Sequence, residues 1–393
     1  MYLTQGLHRA VQQTPEATMT VFGERTRTVA EVADRVARLA GALRGLGVGD
    51  GDRVAMLALN SDRYHEHLLA VPWANAVLNP VNIRWSPAEI AYSLVDSGTE
   101  VLLVDDLFAA MLPALRDACP RLTTVIHTGD GPTPADALSY EDLITAATPI
   151  ADARRGGDEP AGVFYTGGTT GFPKGVVLSH TNMLVSALGT TATGYVFRPG
   201  ARLLHAAPMF HLADLAAWVA VVALGGTHVF LPSFDPAAVL AAVERHRITN
   251  ALLVPTMIQV LVDHPRLPEH DLSSLAAVVY GASSIPQAVL ERAMKALPDV
   301  RFTQAYGMTE LAPVATLLSP EDHHDPALLR SAGRAAPHVE VRVLDAEDVE
   351  LPRGAVGEIV VRGGNVMLGY WDKPEETAAA LRDGWMHTGD AGY

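Results

Sequence analysis

The chain has 393 residues, 49% of them apolar and 19% charged, and a formal net charge of −15. That length accommodates about two to three domains with a substantial core. A negative field repels polyanions, which argues against a nucleic-acid partner, and the single Cys119 excludes an intrachain disulfide and a cysteine-rich metal cluster.

The N-terminus lacks the basic-then-apolar pattern of a signal peptide. Val29, Val32, Val36, Leu39 and Leu43 recur at three- and four-residue steps, which predicts a helix, and Thr28 with Glu31 can form its capping box. Arg53 to Ala58 is an apolar run of strand length. Ser86-Pro-Ala-Glu89 is a second capping box, with proline at the first helical position, opening a helix to about Ser97. Strands are predicted at Val101 to Val104 and at Leu122 to His127. From about Thr128 to Ala161 the composition shifts to Gly, Pro, Asp and Ala, a candidate junction. Leu215 to Phe234 carries no formal charge, but Gly225-Gly226, His228 and Pro232 make it a buried helix, a turn and a strand rather than a membrane span. A helix from Asp235-Pro236 to His246, strands at Ala251 to Val254 and Leu275 to Tyr280, and a helix from Pro286 to Leu297 follow. After about Gly333 the pattern changes to the alternating strands Val339 to Leu344 and Glu358 to Arg362.

Alternating strands and helices imply an α/β fold: two parallel-type sheets flanked by helices, with a small β-barrel-like unit at the end. The expected divisions are 1–160, 161–332 and 333–393. A cytosolic protein without stable membrane insertion is expected.

The most informative stretch is Tyr165-Thr-Gly-Gly-Thr-Thr-Gly-Phe-Pro-Lys-Gly175, entered from the apolar run Gly162 to Tyr165. Glycines let a backbone press against phosphate oxygens, exposed N–H groups and hydroxyls form an anion-binding concavity, and Lys174 adds a point charge. The Walker pattern is excluded because Lys174 follows Pro173 and precedes Gly175. On its own spacing the stretch reads equally as a flexible surface loop. Four more segments carry chemistry: Ala207-Pro-Met-Phe-His211, Tyr280-Gly-Ala-Ser-Ser-Ile-Pro286, Gln304-Ala-Tyr-Gly-Met-Thr-Glu310 and Trp385-Met-His-Thr-Gly-Asp390. Each also has a plain structural reading. Thr309 and Glu310 can start a helix, Asp390 can serve a turn, and Tyr306 and His211 can be core residues. Ser179-His180 fits a helix cap, and His323-His324 lacks the further ligands a metal site needs.

Together these segments resemble the motifs of the adenylate-forming superfamily of acyl-CoA synthetases, luciferases and peptide-synthetase adenylation domains, most closely the acyl-CoA synthetases. The likeness runs in order along the whole chain, with one departure: Gly167 stands where a serine is more usual. The resemblance implies ATP-dependent conversion of a carboxylic acid to an acyl-AMP, then thioester formation with coenzyme A, with ATP/AMP, Mg²⁺ and coenzyme A as cofactors. It places Thr166, Gly167, Gly168, Thr169, Thr170, Gly171 and Lys174 on the β- and γ-phosphates, and Thr309 on the α-phosphate. Glu310 would ligate Mg²⁺, and Tyr306 would face adenine. Gly281, Ala282 and Ser283, with Gln304, Ala305, Gly307 and Met308, would line the nucleotide and acyl pockets. Asp390 would accept the ribose hydroxyls, and His211 would gate the acyl pocket.

The resemblance also implies a C-terminal lid domain with a reactive lysine and a ribose-contacting arginine. The chain ends three residues after Asp390, so it is expected to be a large N-terminal part that turns over poorly. No Arg or Lys occurs in 205–218, 279–286 or 304–313, which favours an apolar monocarboxylic acid, fatty or aromatic. Two other functions fit the same motifs: an adenylating enzyme that loads a carrier protein, and a non-catalytic acyl-adenylate-binding module.

Overall fold

The computed structural model describes residues 1–167 and 172–393, and among them the strands form three sheets. The first sheet runs, in spatial order, through Gly369–Tyr370, Lys174–Ser179, Pro160–Thr166, Val77–Pro80, Arg53–Leu57, Val101–Val104, Thr124–His127 and Leu138–Ser139. Its last six strands are parallel and its first two antiparallel.

The second sheet runs through Arg334–Ala335, Val314–Leu318, Arg301–Gly307, Ala277–Gly281, Asn250–Leu252, Arg202–His205, Thr227–Phe230, Thr18–Phe22 and Arg25–Thr28. Its centre, from Arg301–Gly307 to Thr18–Phe22, is parallel, and both edges are antiparallel. The third sheet, Val339–Leu344, Gly357–Gly363, Trp385–Gly392 and Leu381–Arg382, is antiparallel throughout. The α/β class and the β-rich end expected from the sequence are therefore present.

Sheet membership crosses the sequence positions 160 and 332. The hairpin Thr18–Phe22/Arg25–Thr28 joins the second sheet, and Pro160–Thr166, Lys174–Ser179 and Gly369–Tyr370 join the first. One apolar cluster links the two large sheets. It contains Val54, Leu78 and Val176 of the first, Leu203 and Phe230 of the second, and Leu68 and Trp218 of intervening helices. The helix Asp62–Trp73 is buried along its full length, as a helix enclosed on all sides must be.

Local signals hold where side chains cap their own helices. Both capping boxes form, on Val29–Gly45 and Pro87–Asp96, and Ser179 caps His180–Ala192 with Asn182 closing the box. Leu212–Leu224 ends at Gly225, whose φ of 70° is left-handed, and leads into Thr227–Phe230. The strand expected to reach Val254 stops at Leu252. Val254 instead precedes a helix, Pro255–Val262, whose proline occupies the first turn. The Gly/Pro/Asp-rich stretch after Thr128 also holds a strand and the helix Tyr140–Ala146, started by Ser139 accepting from the Asp142 N–H.

Candidate active site

Pro160–Thr166 and Lys174–Ser179 form a hairpin in which Thr166 pairs with Lys174 and Tyr165 with Gly175. The stretch read from the sequence as a phosphate loop joins these two strands along the chain. Thr166 and Gly167 stand at the entry; Gly168, Thr169, Thr170 and Gly171 lie outside the described residues. Two contacts brace this hairpin against the helix Pro87–Asp96. The Tyr165 hydroxyl donates to Asp96 Oδ2 at 2.6 Å, and the exposed Phe172 ring stacks on Tyr92 at 4.7 Å.

Lys174 points its ammonium at the face of Tyr370, 5.1 Å from the ring centroid. The Tyr370 hydroxyl donates to Glu310 Oε1 at 2.8 Å. Burial, reinforced by the Glu310 charge, raises the Tyr370 pKa, so the phenol keeps its proton as a donor. Glu310 sits in the short 3₁₀ turn Thr309–Leu311 and is 6% exposed. It is therefore a nearly buried carboxylate, which the helix-start reading does not require.

The parallel strands Ala277–Gly281 and Arg301–Gly307 end side by side in the second sheet. Ligands favour the carboxyl ends of parallel strands, and a cavity of about 230 Å³ opens here. Gly281, Ala282, Ala305, Tyr306, Gly307, Met308 and Thr309 line one side. The opposite wall is one face of Leu212–Leu224, presenting Ala213, Ala216, Ala217 and Ala220. His211, immediately before that helix, lines the cavity too. Phe197, Leu252 and Val279 add to its apolar lining.

Two backbone features shape this wall. A Cβ at Gly281 would fall 2.2 Å from the Ala305 carbonyl oxygen, so only glycine allows the two strands to approach here. Ala282 adopts φ 65°, a left-handed conformation that costs a non-glycine residue about 1 kcal/mol or more. His211 is exposed at the cavity, which sets aside its core reading, and partial desolvation by the surrounding residues, then the nearby Arg84 charge, lower its pKa.

Tyr306 connects the cavity to the third sheet. Its hydroxyl donates to Asp390 Oδ2 at 2.7 Å, and Asp390 lies in the strand Trp385–Gly392 rather than in a turn. Thus Lys174 and Glu310 meet on Tyr370, while Tyr306, Thr309, His211 and the Gly281 segment share a cavity with Asp390 bonded at its edge. Two residues stand apart from its lining. Ser283 is exposed, and Gln304, in the strand beside Tyr280, has a buried Oε1 without a partner. His323 is no metal ligand: Nδ1 faces the Ser319 carbonyl at 2.6 Å and Nε2 the Tyr280 hydroxyl at 2.9 Å. That pattern makes Nδ1 the donor and Nε2 the acceptor.

Sequence reasoning missed Tyr370, Asp96 and the alanine face. The aromatic pair Tyr370-Trp371 after Gly369 was the available signal, outside any periodic element. Among the described residues no group of three or more His, Cys, Asp or Glu could hold a metal. Glu310 nevertheless fits Mg²⁺, which often takes one carboxylate from the protein and its remaining oxygens from phosphate and water.

A model of the AMP-binding enzyme family matches residues 7–371. The chain belongs to this family. Within it, the chain is 39% identical over 383 residues to feruloyl-CoA synthase of an Amycolatopsis species, covering 97% of this chain and 74% of that protein. It is 35% identical over 396 residues to indoleacetate–CoA ligase of Aromatoleum aromaticum, covering 100% and 76%. The inhibitor-bound N-terminal domain of FACL13 from Mycobacterium tuberculosis superposes with a TM-score of 0.90 at 29% identity, covering 100% of this chain and 96% of that one. The amide bond synthetase McbA from Marinactinospora thermotolerans gives 0.87 at 33% identity, covering 100% and 76%. Among the described residues no helix is long and apolar enough to cross a membrane.

Proposed function

We propose that the chain activates an apolar monocarboxylic acid, aromatic or fatty, as an acyl-AMP and passes the acyl group to the thiol of coenzyme A. One observation carries this reading. An alanine-walled apolar cavity abuts Thr309, and the next residue, Glu310, is coupled through Tyr370 to the lysine of the phosphate loop.

The roles follow from chemistry. Attack of a carboxylate on the α-phosphorus of ATP brings two anions together, so the site must offset their repulsion with oriented donors and positive charge. Lys174 and the loop around Thr166 and Gly167 bind the β- and γ-phosphates. The Thr309 hydroxyl donates to the α-phosphate. Tyr306 presents its face to adenine, and Asp390 accepts from the ribose hydroxyls. His211, its pKa lowered by partial desolvation and by Arg84, borders the acyl group. Glu310 would hold Mg²⁺, which when bound neutralises phosphate charge. The cavity lining offers no cation to a second carboxylate, which supports a monocarboxylic substrate.

Acid-dependent exchange of pyrophosphate into ATP, over a panel of aromatic and fatty acids and with the chain extended past Tyr393, tests the reading. Exchange with an apolar acid and none with dicarboxylic acids is the expected result. Binding of acyl-adenylate esters without exchange for any acid replaces it with a non-catalytic binding module. Transfer assays with coenzyme A and with a carrier protein then identify the acceptor. The second acceptor is tested because the chain is 34% identical to a protein named fatty acid–[acyl-carrier-protein] ligase ScoC, from Streptomyces coeruleorubidus.

A further inference from the structure

Lys174 belongs to the first sheet and Glu310 follows a strand of the second, yet both touch one aromatic side chain. The Lys174 ammonium lies over the Tyr370 ring, 5.1 Å from its centroid. The Tyr370 hydroxyl donates to Glu310 Oε1 at 2.8 Å. An aromatic spacer therefore holds the cation and the carboxylate, which do not pair with each other.

The ring is firmly placed. Tyr370 pairs with Val176, two residues beyond Lys174. Its N–H donates to Thr377 Oγ1 at 2.9 Å. The Trp371 N–H donates to the Gly175 carbonyl at 2.7 Å, and the Trp371 indole to the Asp96 carbonyl at 3.0 Å. The Met367 N–H donates to the Glu310 carbonyl at 2.8 Å, tying the same segment to the carboxylate's backbone.

We propose that Tyr370 is a positioning residue for nucleotide binding, seating Lys174 with its ring and orienting Glu310 with its hydroxyl so that both stay available to a triphosphate and its divalent cation. A direct Lys174–Glu310 ion pair would have to break before either group met the nucleotide. A cation on a ring face is held by about 0.5–2 kcal/mol, and the ammonium can keep that seat while its donors turn to phosphate oxygens. The phenol engages Oε1, which leaves Oε2 to a metal. A carboxylate whose orientation is set before the ligand arrives binds without reorganising. The inference rests on the ATP-dependent reading above and adds a residue to it.

Calorimetric titration of the chain with ATP, with and without Mg²⁺, separates the two contacts. Tyr370→Phe keeps the ring and the packing but removes the donor. Its affinity for metal-free ATP should stay within about twofold, while the gain in affinity on adding Mg²⁺ should fall about tenfold, as when a hydrogen-bond partner of a ligating carboxylate is lost. Tyr370→Ala removes the ring as well and should weaken metal-free ATP by a further threefold to thirtyfold or so.

Thermal unfolding of each variant checks folding, and Tyr370→Phe carries the decision if Tyr370→Ala does not fold. A Mg²⁺ effect in Tyr370→Phe equal to that of the unaltered chain overturns the proposal, whatever the change in melting temperature. ATP binding by the unaltered chain, with no acid-dependent exchange once the chain is extended past Tyr393, would sink the adenylation reading and leave the Tyr370 seat standing. An unaltered chain that does not bind ATP overturns both.

Discussion

The Tyr306 hydroxyl donates to the Asp390 carboxylate at 2.7 Å across 84 residues of sequence, joining the edge of the cavity to the third sheet. Burial raises the Tyr306 pKa, and Asp390 adds to the rise, so the phenol remains a donor at neutral pH. In Tyr306→Phe the ring that would face adenine survives and Asp390 loses its orienting partner. The expected cost is about 1 kcal/mol, roughly fivefold in the Kd for AMP. Asp390→Ala also removes the acceptor proposed for the ribose hydroxyls and should cost about 2 kcal/mol or more. Titration with AMP measures both. Unchanged affinity in the two variants would make the contact a purely structural one.

What the sequence made legible was chiefly local. The Thr28–Glu31 and Ser86–Glu89 boxes form because donor and acceptor lie three residues apart on one turn. The run Val101 to Val104 is a central parallel strand because it is apolar on both faces. The order of strands was not legible. No pattern within Thr18–Phe22 states that it pairs with Thr227–Phe230 about two hundred residues later. The site was half legible for the same reason. Lys174, Tyr306, Glu310 and Asp390 stand in distinctive motifs, whereas Tyr370 becomes visible only once pairing with Val176 brings it beside Lys174. The apolar run at Ala251 read two residues too far because Val254 is itself apolar, and Pro255 decided the boundary.

Gly167 is the departure in the phosphate loop, and its surroundings make the departure reversible. Among the described residues a Cβ placed there meets nothing within 4 Å, and its φ is not left-handed. Gly167→Ser should therefore fold normally, with the chain slightly stabilised by about 0.4–1 kcal/mol through the reduced freedom of the unfolded chain. The added hydroxyl offers one more donor to phosphate, worth about 1.5 kcal/mol to a charged acceptor, or roughly tenfold in Kd for ATP. AMP lacks the β- and γ-phosphates, so its affinity should not change. Equal gains for ATP and AMP would place Gly167 away from those phosphates.

On the proposed reading, the alanine face of Leu212–Leu224 would set the room available to the acyl group. Ala213 and Ala216 are only partly buried and line the cavity, so a larger side chain can project into the space without overpacking the core. Ala216→Leu should raise KM at least tenfold for bulky aromatic acids, since a clash of a few methylenes costs about 1–3 kcal/mol. Short-chain acids and ATP should keep KM values within about twofold. A uniform rise in KM for every acid and for ATP would show that the substitution disturbs the fold rather than the pocket.

His67 lies in the fully buried helix Asp62–Trp73 at 0% exposure, and neither ring nitrogen has a partner among the described residues. Burial drives its pKa down to about 3, and that of neighbouring His65 also to about 3. The unfolded chain binds these protons near pH 6.5 and the folded chain does not. Acidification therefore favours unfolding: stability is full above about 6.5 and falls as the pH drops toward the folded values, by about 1.4 kcal/mol per pH unit for each histidine. His67→Leu removes one such titration together with an unsatisfied buried polar group, whose burial costs about 1–3 kcal/mol. The variant should be at least as stable as the unaltered chain near neutral pH, and between about pH 6.5 and 5.5 it should lose about 1 kcal/mol less. Urea denaturation at the two pH values measures the difference. Identical losses would mean that His67 takes up a proton without unfolding, in contact with a group or water that relieves its burial.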